Sequence, residues 1–265
     1  MKLPVVYSLK PIEHQYRTGE EPVLVVCSDK HSYICKYMRS ASAAYKLASE
    51  LLGSALARHW SINSPEVAIV NIKPNHWSGL FTSHITTAPA FGSRRVSGVI
   101  DVTSSTTTKV SNTEHLLRQL ACIALFDFWV ANEDRNINNA NLMYDISKEI
   151  FVPIDYGCIL NTATFDYPLS QLTSTDSILF SDLFSYLISN RVGKCDRLVN
   201  DLKQHFTESI MLCNSNISSV ISQMPDTWNL PKELIIKKTN ELFEEKWLKD
   251  VWQNFVECFY ESLTR

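Results

Sequence analysis

Apolar positions fall into a few bounded patterns along the chain. Val23-Leu24-Val25-Val26-Cys27 and Tyr33-Ile34-Cys35-Lys36-Tyr37-Met38, joined by Ser28-Asp29-Lys30-His31, predict a β-hairpin, and alternation puts Ile34, Lys36 and Met38 on one face. From Ser42 to Trp60 the period lengthens: Ala44, Leu47, Ala48, Leu51 and Ala55 form a helical apolar stripe with Glu50 at its border. A strand from Val67 to Ile72 follows Ser64-Pro65. Ser111-Asn112-Thr113-Glu114 has the form of a capping box and opens a helix over 113–131, almost wholly apolar from Leu120 to Ala131. A second hairpin, Leu142 to Asp145 and Ile150 to Ile154, ends at Asp155, with Pro153 marking an edge position. Helical patterns then cover 180–188, 198–212 and 217–224, one helix starts at Pro231, and a long one spans 241–263. Strands early and helices late predict an α+β fold whose lobe boundary lies between about 75 and 112.

Composition narrows the class. A chain of 265 residues with 45% hydrophobic content can build a substantial core, as one large domain or as two small lobes around a cleft. Its 25 basic and 28 acidic residues are mixed along the sequence, giving a formal charge of −3 and no polycationic surface for direct nucleic-acid binding. The seven cysteines are scattered without a C-x-x-C pair, which fits reduced thiols in a cytoplasmic protein. No apolar run reaches the roughly 18 residues of a membrane span.

The densest polar chemistry is Asn132-Glu133-Asp134-Arg135-Asn136-Ile137-Asn138-Asn139-Ala140-Asn141, between the apolar helix and the second hairpin. Such side chains also cap turns. The hairpin, however, returns a second acid at Ile154-Asp155-Tyr156-Gly157, so two carboxylates and an amide can converge. Phosphoryl transfer needs one carboxylate to orient the attacking hydroxyl and oxygen ligands to hold Mg²⁺ on the phosphates. Lys36, flanked by apolar neighbours on its face, either snorkels to an edge or carries its charge into a cleft, where Glu50 is its candidate partner. Gly19, in Tyr16-Arg17-Thr18-Gly19-Glu20-Glu21-Pro22, stands either in a loop that approaches phosphates or in an ordinary strand entry.

These stretches, with the helix 49–57 and the Pro-marked strand 64–70, resemble the HipA-like kinases. The resemblance covers roughly 16–255 and implies a two-lobed protein-kinase-like fold: a single domain over 1–265, with a small β-rich lobe near 1–90 and a larger helical lobe near 91–265. It implies ATP and Mg²⁺ as cofactors, Asp134 as the catalytic acid, Asn139 and Asp155 as metal ligands, and Lys36, Glu50, Gly19 and Asn141 around the nucleotide. It further implies a hinge near Lys73 to Gly79, an activation segment in the hydroxyl-rich 158–177, a protein Ser or Thr as acceptor, and room for a separate partner protein. Glu20 and Glu21 depart from the small hydroxyl residue that the family's loop carries after its Gly, so a pseudokinase is an alternative. A small-molecule phosphotransferase is another, although Asn132 and Glu133 stand where such enzymes place His and Gly.

Overall fold

The computed structural model describes residues 2–77, 87–163, 165–189 and 191–264. Six strands form one sheet: β1 (Val5–Tyr7), β2 (His14–Gln15), β3 (Val23–Val26), β4 (Ser32–Lys36), β5 (Val67–Asn71) and β6 (Ala90–Arg94), in the order β1-β5-β6-β4-β3-β2. All neighbours are antiparallel except β1, which runs parallel to β5 with Val6 opposite Val70. The sequence patterns predict β3, β4 and β5. They do not reveal β6, Ala-Phe-Gly-Ser-Arg, because it has a single strong strand former and a central glycine. That glycine has a packing reason: a Cβ on Gly92 would lie 2.5 Å from a Val70 methyl.

β6 relocates the interlobe connection. It separates β5 from the Lys36 strand, with Phe91 opposite both Ile69 and Lys36. Residues 95–98 then lead into β7 (Val99–Asp101), which pairs with the second hairpin, β8 (Leu142–Asp145) and β9 (Ile150–Pro153). The hinge expected at 73–79 is therefore displaced to 95–98. Residues 73–77 instead fold back on the β1 edge, where the Ser8 hydroxyl takes the Lys73 N–H at 2.9 Å and contacts His76 Nδ1 at 2.8 Å. Ser78 and Gly79 lie outside the described residues.

Two helices carry the site. α1 (Ala43–His59) was expected to bury one stripe, but from Leu47 to Ala57 every residue is buried, because the sheet covers one side and the helical part the other. Its end is fixed by Trp60, which stacks on Trp129 at 5.4 Å and meets Phe126 and Phe206 edge-on. α2 (Glu114–Val130) starts one residue later than expected. Its cap is Thr113, whose hydroxyl accepts from Leu116 N–H, and not Ser111. The apolar residues of α1, α2 and the C-terminal helices merge into one core, and a smaller cluster including Val23, Val25 and Cys35 lies under the other sheet face.

Two of the late helical patterns are joined where the sequence left a break. The stretches 198–212 and 217–221 lie in one helix of 27 residues, Cys195–Ile221, because the polar run at 214–216 is its solvent side, and 222–224 fall in the turn beyond its end. The two helices expected last, one starting at Pro231 and one over 241–263, form as Lys232–Glu241 and Glu245–Ser262, the second starting four residues later than its pattern. Among its aromatics Trp247, Phe255 and Phe259 are buried core residues. The seven cysteines are unpaired, and no described helix is long and apolar enough to cross a membrane.

Candidate active site

β4 ends at Lys36, and alternation turns Tyr33 and Cys35 into the small core while Lys36 faces α1. Its ammonium meets three carboxylates: Glu50 at 2.5 Å, Asp155 at 2.8 Å and Glu20 at 3.0 Å. Glu50 reaches it from the middle of α1 and also accepts the Tyr156 N–H at 2.9 Å, so one carboxylate joins the strand lysine to the segment after β9. Burial works against the Lys36 charge, but the carboxylates outweigh it and hold its pKa well above the usual value. Burial likewise disfavours the Asp155 carboxylate, yet Lys36 keeps it below its ordinary value. Glu50 is the most enclosed, and burial pushes it up to about 7 against the pull of Lys36.

Two glycines let these groups approach. A Cβ on Gly53 of α1 would stand 2.4 Å from the Tyr156 Cβ, so helix and segment touch without a gap. One on Gly157 would stand 3.2 Å from the Glu50 carboxylate and 3.3 Å from that of Asp155. Tyr156 is further held by its hydroxyl, 2.5 Å from Ser64 Oγ.

The loop after α2 is built on a buried pair. Ala131 leaves the helix in the left-handed conformation, and the Asn132 side chain donates to Asp127 Oδ1 at 2.8 Å. Arg135, fully buried, donates to the same carboxylate oxygen and to the Ile154 carbonyl at 2.8 Å, with its guanidinium 5.0 Å from the centre of the Tyr156 ring. Ile154 N–H bonds the Asn141 carbonyl at 2.9 Å, which brings the end of the loop beside Asp155. Asn141 and Asp155 both take left-handed backbone angles, φ 41° and 61°, a region that Asn and Asp enter more readily than most residues. Asp134 is held by two amides, with Asn139 Nδ2 on Oδ1 at 3.1 Å and Asn141 Nδ2 on Oδ2 at 2.8 Å.

The residues expected from sequence thus form two linked groups, Lys36–Glu50–Asp155 and Asp134–Asn139–Asn141, joined by Arg135 and the Ile154–Asn141 bond. Gly19 stands apart from them. A Cβ there would meet nothing within 4 Å, so no close approach demands a glycine in this state. Among the described residues no cluster of three or more His, Cys, Asp or Glu could hold a metal alone. The Asp155 carboxylate and the Asn139 amide oxygen fit Mg²⁺ nonetheless, since it favours hard oxygen donors and commonly takes one or two from protein and others from phosphates and water. Reasoning from sequence missed Asp127, although an acid inside an apolar helix is a visible signal, and it missed Lys46, whose Nζ lies 2.7 Å from Glu20 Oε1.

The segment after Gly157 is pinned to the loop. Leu160, Asn161, Thr162 and Ala163 all have φ between 55° and 60°, a left-handed turn that costs roughly 1–2 kcal/mol per residue. Contacts from Asn161 Nδ2 to Glu133 at 2.9 Å and to Ser170 Oγ at 2.6 Å offset part of that cost beside Asp134. Thr162, Ser170, Thr173 and Thr175 of the hydroxyl-rich stretch are exposed, and Thr164 lies outside the described residues.

A family model described as HipA-like kinase matches residues 10–255. No curated protein matches the chain. Among solved structures it superposes on the Helicobacter pylori proinflammatory kinase CtkA with a TM-score of 0.53 at 10% identity, covering 96% of this chain and 99% of that one. A Golgi casein kinase gives 0.48 at 12% identity, covering 97% and 76%. At such identity the likeness to CtkA speaks for the fold alone.

Proposed function

The chain belongs to the HipA-like kinase family, and from that premise we propose that it transfers the terminal phosphoryl group of ATP, with Mg²⁺, to a Ser or Thr hydroxyl of a protein. The observation that carries this reading is the double bridge of Lys36, fixed between buried Glu50 and Asp155 beside the amide-held Asp134. Lys36 would neutralise phosphate charge, and Asp155 with Asn139 would hold the metal. Bound Mg²⁺ would supply charge neutralisation on the transferring group. Asp134, oriented by Asn139 and Asn141, would accept a hydrogen bond from the attacking hydroxyl and so align it.

A groove of about 510 Å³ opens beside this loop, with Asp101, Thr103, Asn138, Asn139 and Asp182 among its lining residues. Its polar wall suits an extended peptide presenting a hydroxyl. The test is incubation with MgATP and a Ser/Thr peptide mixture, read by intact mass for gain of phosphate on chain or peptide. Transfer that disappears in Asp134→Asn supports the reading, and absence of transfer from the parent chain counts against it.

A pseudokinase is the second reading, favoured by Glu20 occupying Lys36 at 3.0 Å. Nucleotide binding without turnover would establish it.

A further inference from the structure

Glu20 is one of the two acids that depart from the family's loop after Gly19, yet its charge is held inside the site. Its carboxylate spans two lysines from different elements: Oε2 lies 3.0 Å from Lys36 Nζ, and Oε1 lies 2.7 Å from Lys46 Nζ in the first turn of α1. Its neighbour Glu21 points elsewhere and pairs with Arg39 at 2.7 Å. The turn presenting both is closed by Glu21 N–H on the Thr18 carbonyl at 3.0 Å and by Tyr16 N–H on the Pro22 carbonyl at 2.9 Å. The charge of Glu20 is retained on going into the site, because burial, which opposes it, is outweighed by Lys36 and Lys46.

Lys46 has no structural need of this contact. Its side chain is 42% exposed, and α1 is anchored by its buried residues and by Trp60. What Lys36 and Lys46 share is an anion bridging them with one oxygen each, and two oxygens of a phosphate group can bridge two ammonium groups in the same manner. The remaining partners of Lys36, Glu50 and Asp155, belong to the α1 pairing and the proposed metal site, so Glu20 is the carboxylate that a polyphosphate can replace.

We propose that Lys46 is a second phosphate-binding cation of the nucleotide site and that Glu20 occupies the phosphate position until ATP displaces it. The inference rests on the nucleotide-site reading above. It makes Glu20 a competitor within the chain. Apparent affinity for ATP is reduced by the fraction of molecules in which Glu20 is seated, and the loop of residues 16–22 is released when the phosphates arrive.

Direct binding measured by calorimetry tests this, with MgATP and with adenosine, which carries no phosphate. Lys46→Met should weaken MgATP about tenfold, the worth of one hydrogen bond between charged groups, and Lys46→Arg should restore most of it. Glu20→Gln should tighten MgATP by several-fold, with adenosine unchanged in every variant. Circular dichroism melts of each variant verify the fold, and limited proteolysis reports whether MgATP exposes the Arg17 site in the parent chain. MgATP binding that neither Lys46→Met nor Glu20→Gln alters overturns this inference alone. A parent chain that binds no MgATP overturns it together with the kinase reading.

Discussion

Replacing Arg135 with Met would remove the cation at the base of the loop after α2 and leave its partner, Asp127, buried among apolar helices. The guanidinium is fully buried, and besides Asp127 it donates to the Ile154 carbonyl beside Asp155 and stacks on Tyr156. Breaking a buried ion pair on one side costs about 3–5 kcal/mol, because the surviving charge is stranded. For a chain of this length each kcal/mol shifts the melting temperature by about 2–4 °C, so Arg135→Met should melt roughly 6–20 °C lower. A double-mutant cycle separates the stranded charge from simple loss of packing. Asp127→Asn leaves Arg135 without its counter-charge, whereas Arg135→Met with Asp127→Asn leaves no buried charge. The double variant should therefore be more stable than the sum of the two singles by about 2 kcal/mol or more. Urea unfolding followed by circular dichroism gives all four values. Additive costs, or an Arg135→Met melt within about 2 °C of the parent, would refute the account of this pair as the structural base of the loop.

Asp127 also gives a pH signature: burial pushes its carboxyl from 3.8 up to about 6 despite Arg135. Its folded pKa exceeds its unfolded one, so the folded chain takes up a proton first as pH falls, and the parent should gain up to about 3 kcal/mol over Asp127→Asn between pH 7 and 4; a loss on acidification would show the opposite shift. Gly53→Ala should leave α1 helical but push Tyr156 and with it Asp155 out of place, since the new Cβ would lie 2.4 Å from that of Tyr156; phosphate transfer should fall by more than about tenfold, against an Ala preference in helices of about 1 kcal/mol that alone would stabilise the chain. Saturating MgATP at about 100 times its Kd should raise the parent melt by about 5–10 °C, a shift that Asp134→Asn should keep while losing transfer and that Asp155→Asn should largely lose; equal behaviour of the two variants would remove the division of roles.

The parts of the candidate site that were legible in the sequence are those fixed by local pattern. Asp134, Asn139 and Asp155 stand at a helix end, a turn and a strand end, each marked by a change of period or by an Asn/Asp run. Lys36 and Glu50 were legible through a charge placed on or beside an apolar face. What escaped depends on contacts distant in sequence. β6 carries few strand formers and is held by Tyr33 and Val70 packing over Gly92, so neither its existence nor the true connection at 95–98 could be read locally. The extent of Glu50 burial escaped for a similar reason, because the segment Asp155–Gly157 that closes over it comes more than a hundred residues later. Nothing local marks Lys46, since its partner Glu20 lies on the loop between β2 and β3.

The packing of Gly53 on Tyr156 bears on how this protein can be controlled. A helix seated that tightly, enclosed from Leu47 to Ala57 and bolted at Trp60 to Trp129, cannot rotate or slide to carry Glu50 out of reach of Lys36 without tearing the main core. Lys36, Glu50 and the backbone after Asp155 behave as one casting, assembled when the chain folds. An off state made by swinging that helix is closed to this architecture. The exposed parts lie at the rim, in the half-exposed loop before β3 and the hydroxyl-bearing surface after Gly157, so control over turnover should act there by admitting or refusing substrates to a machine that is already set.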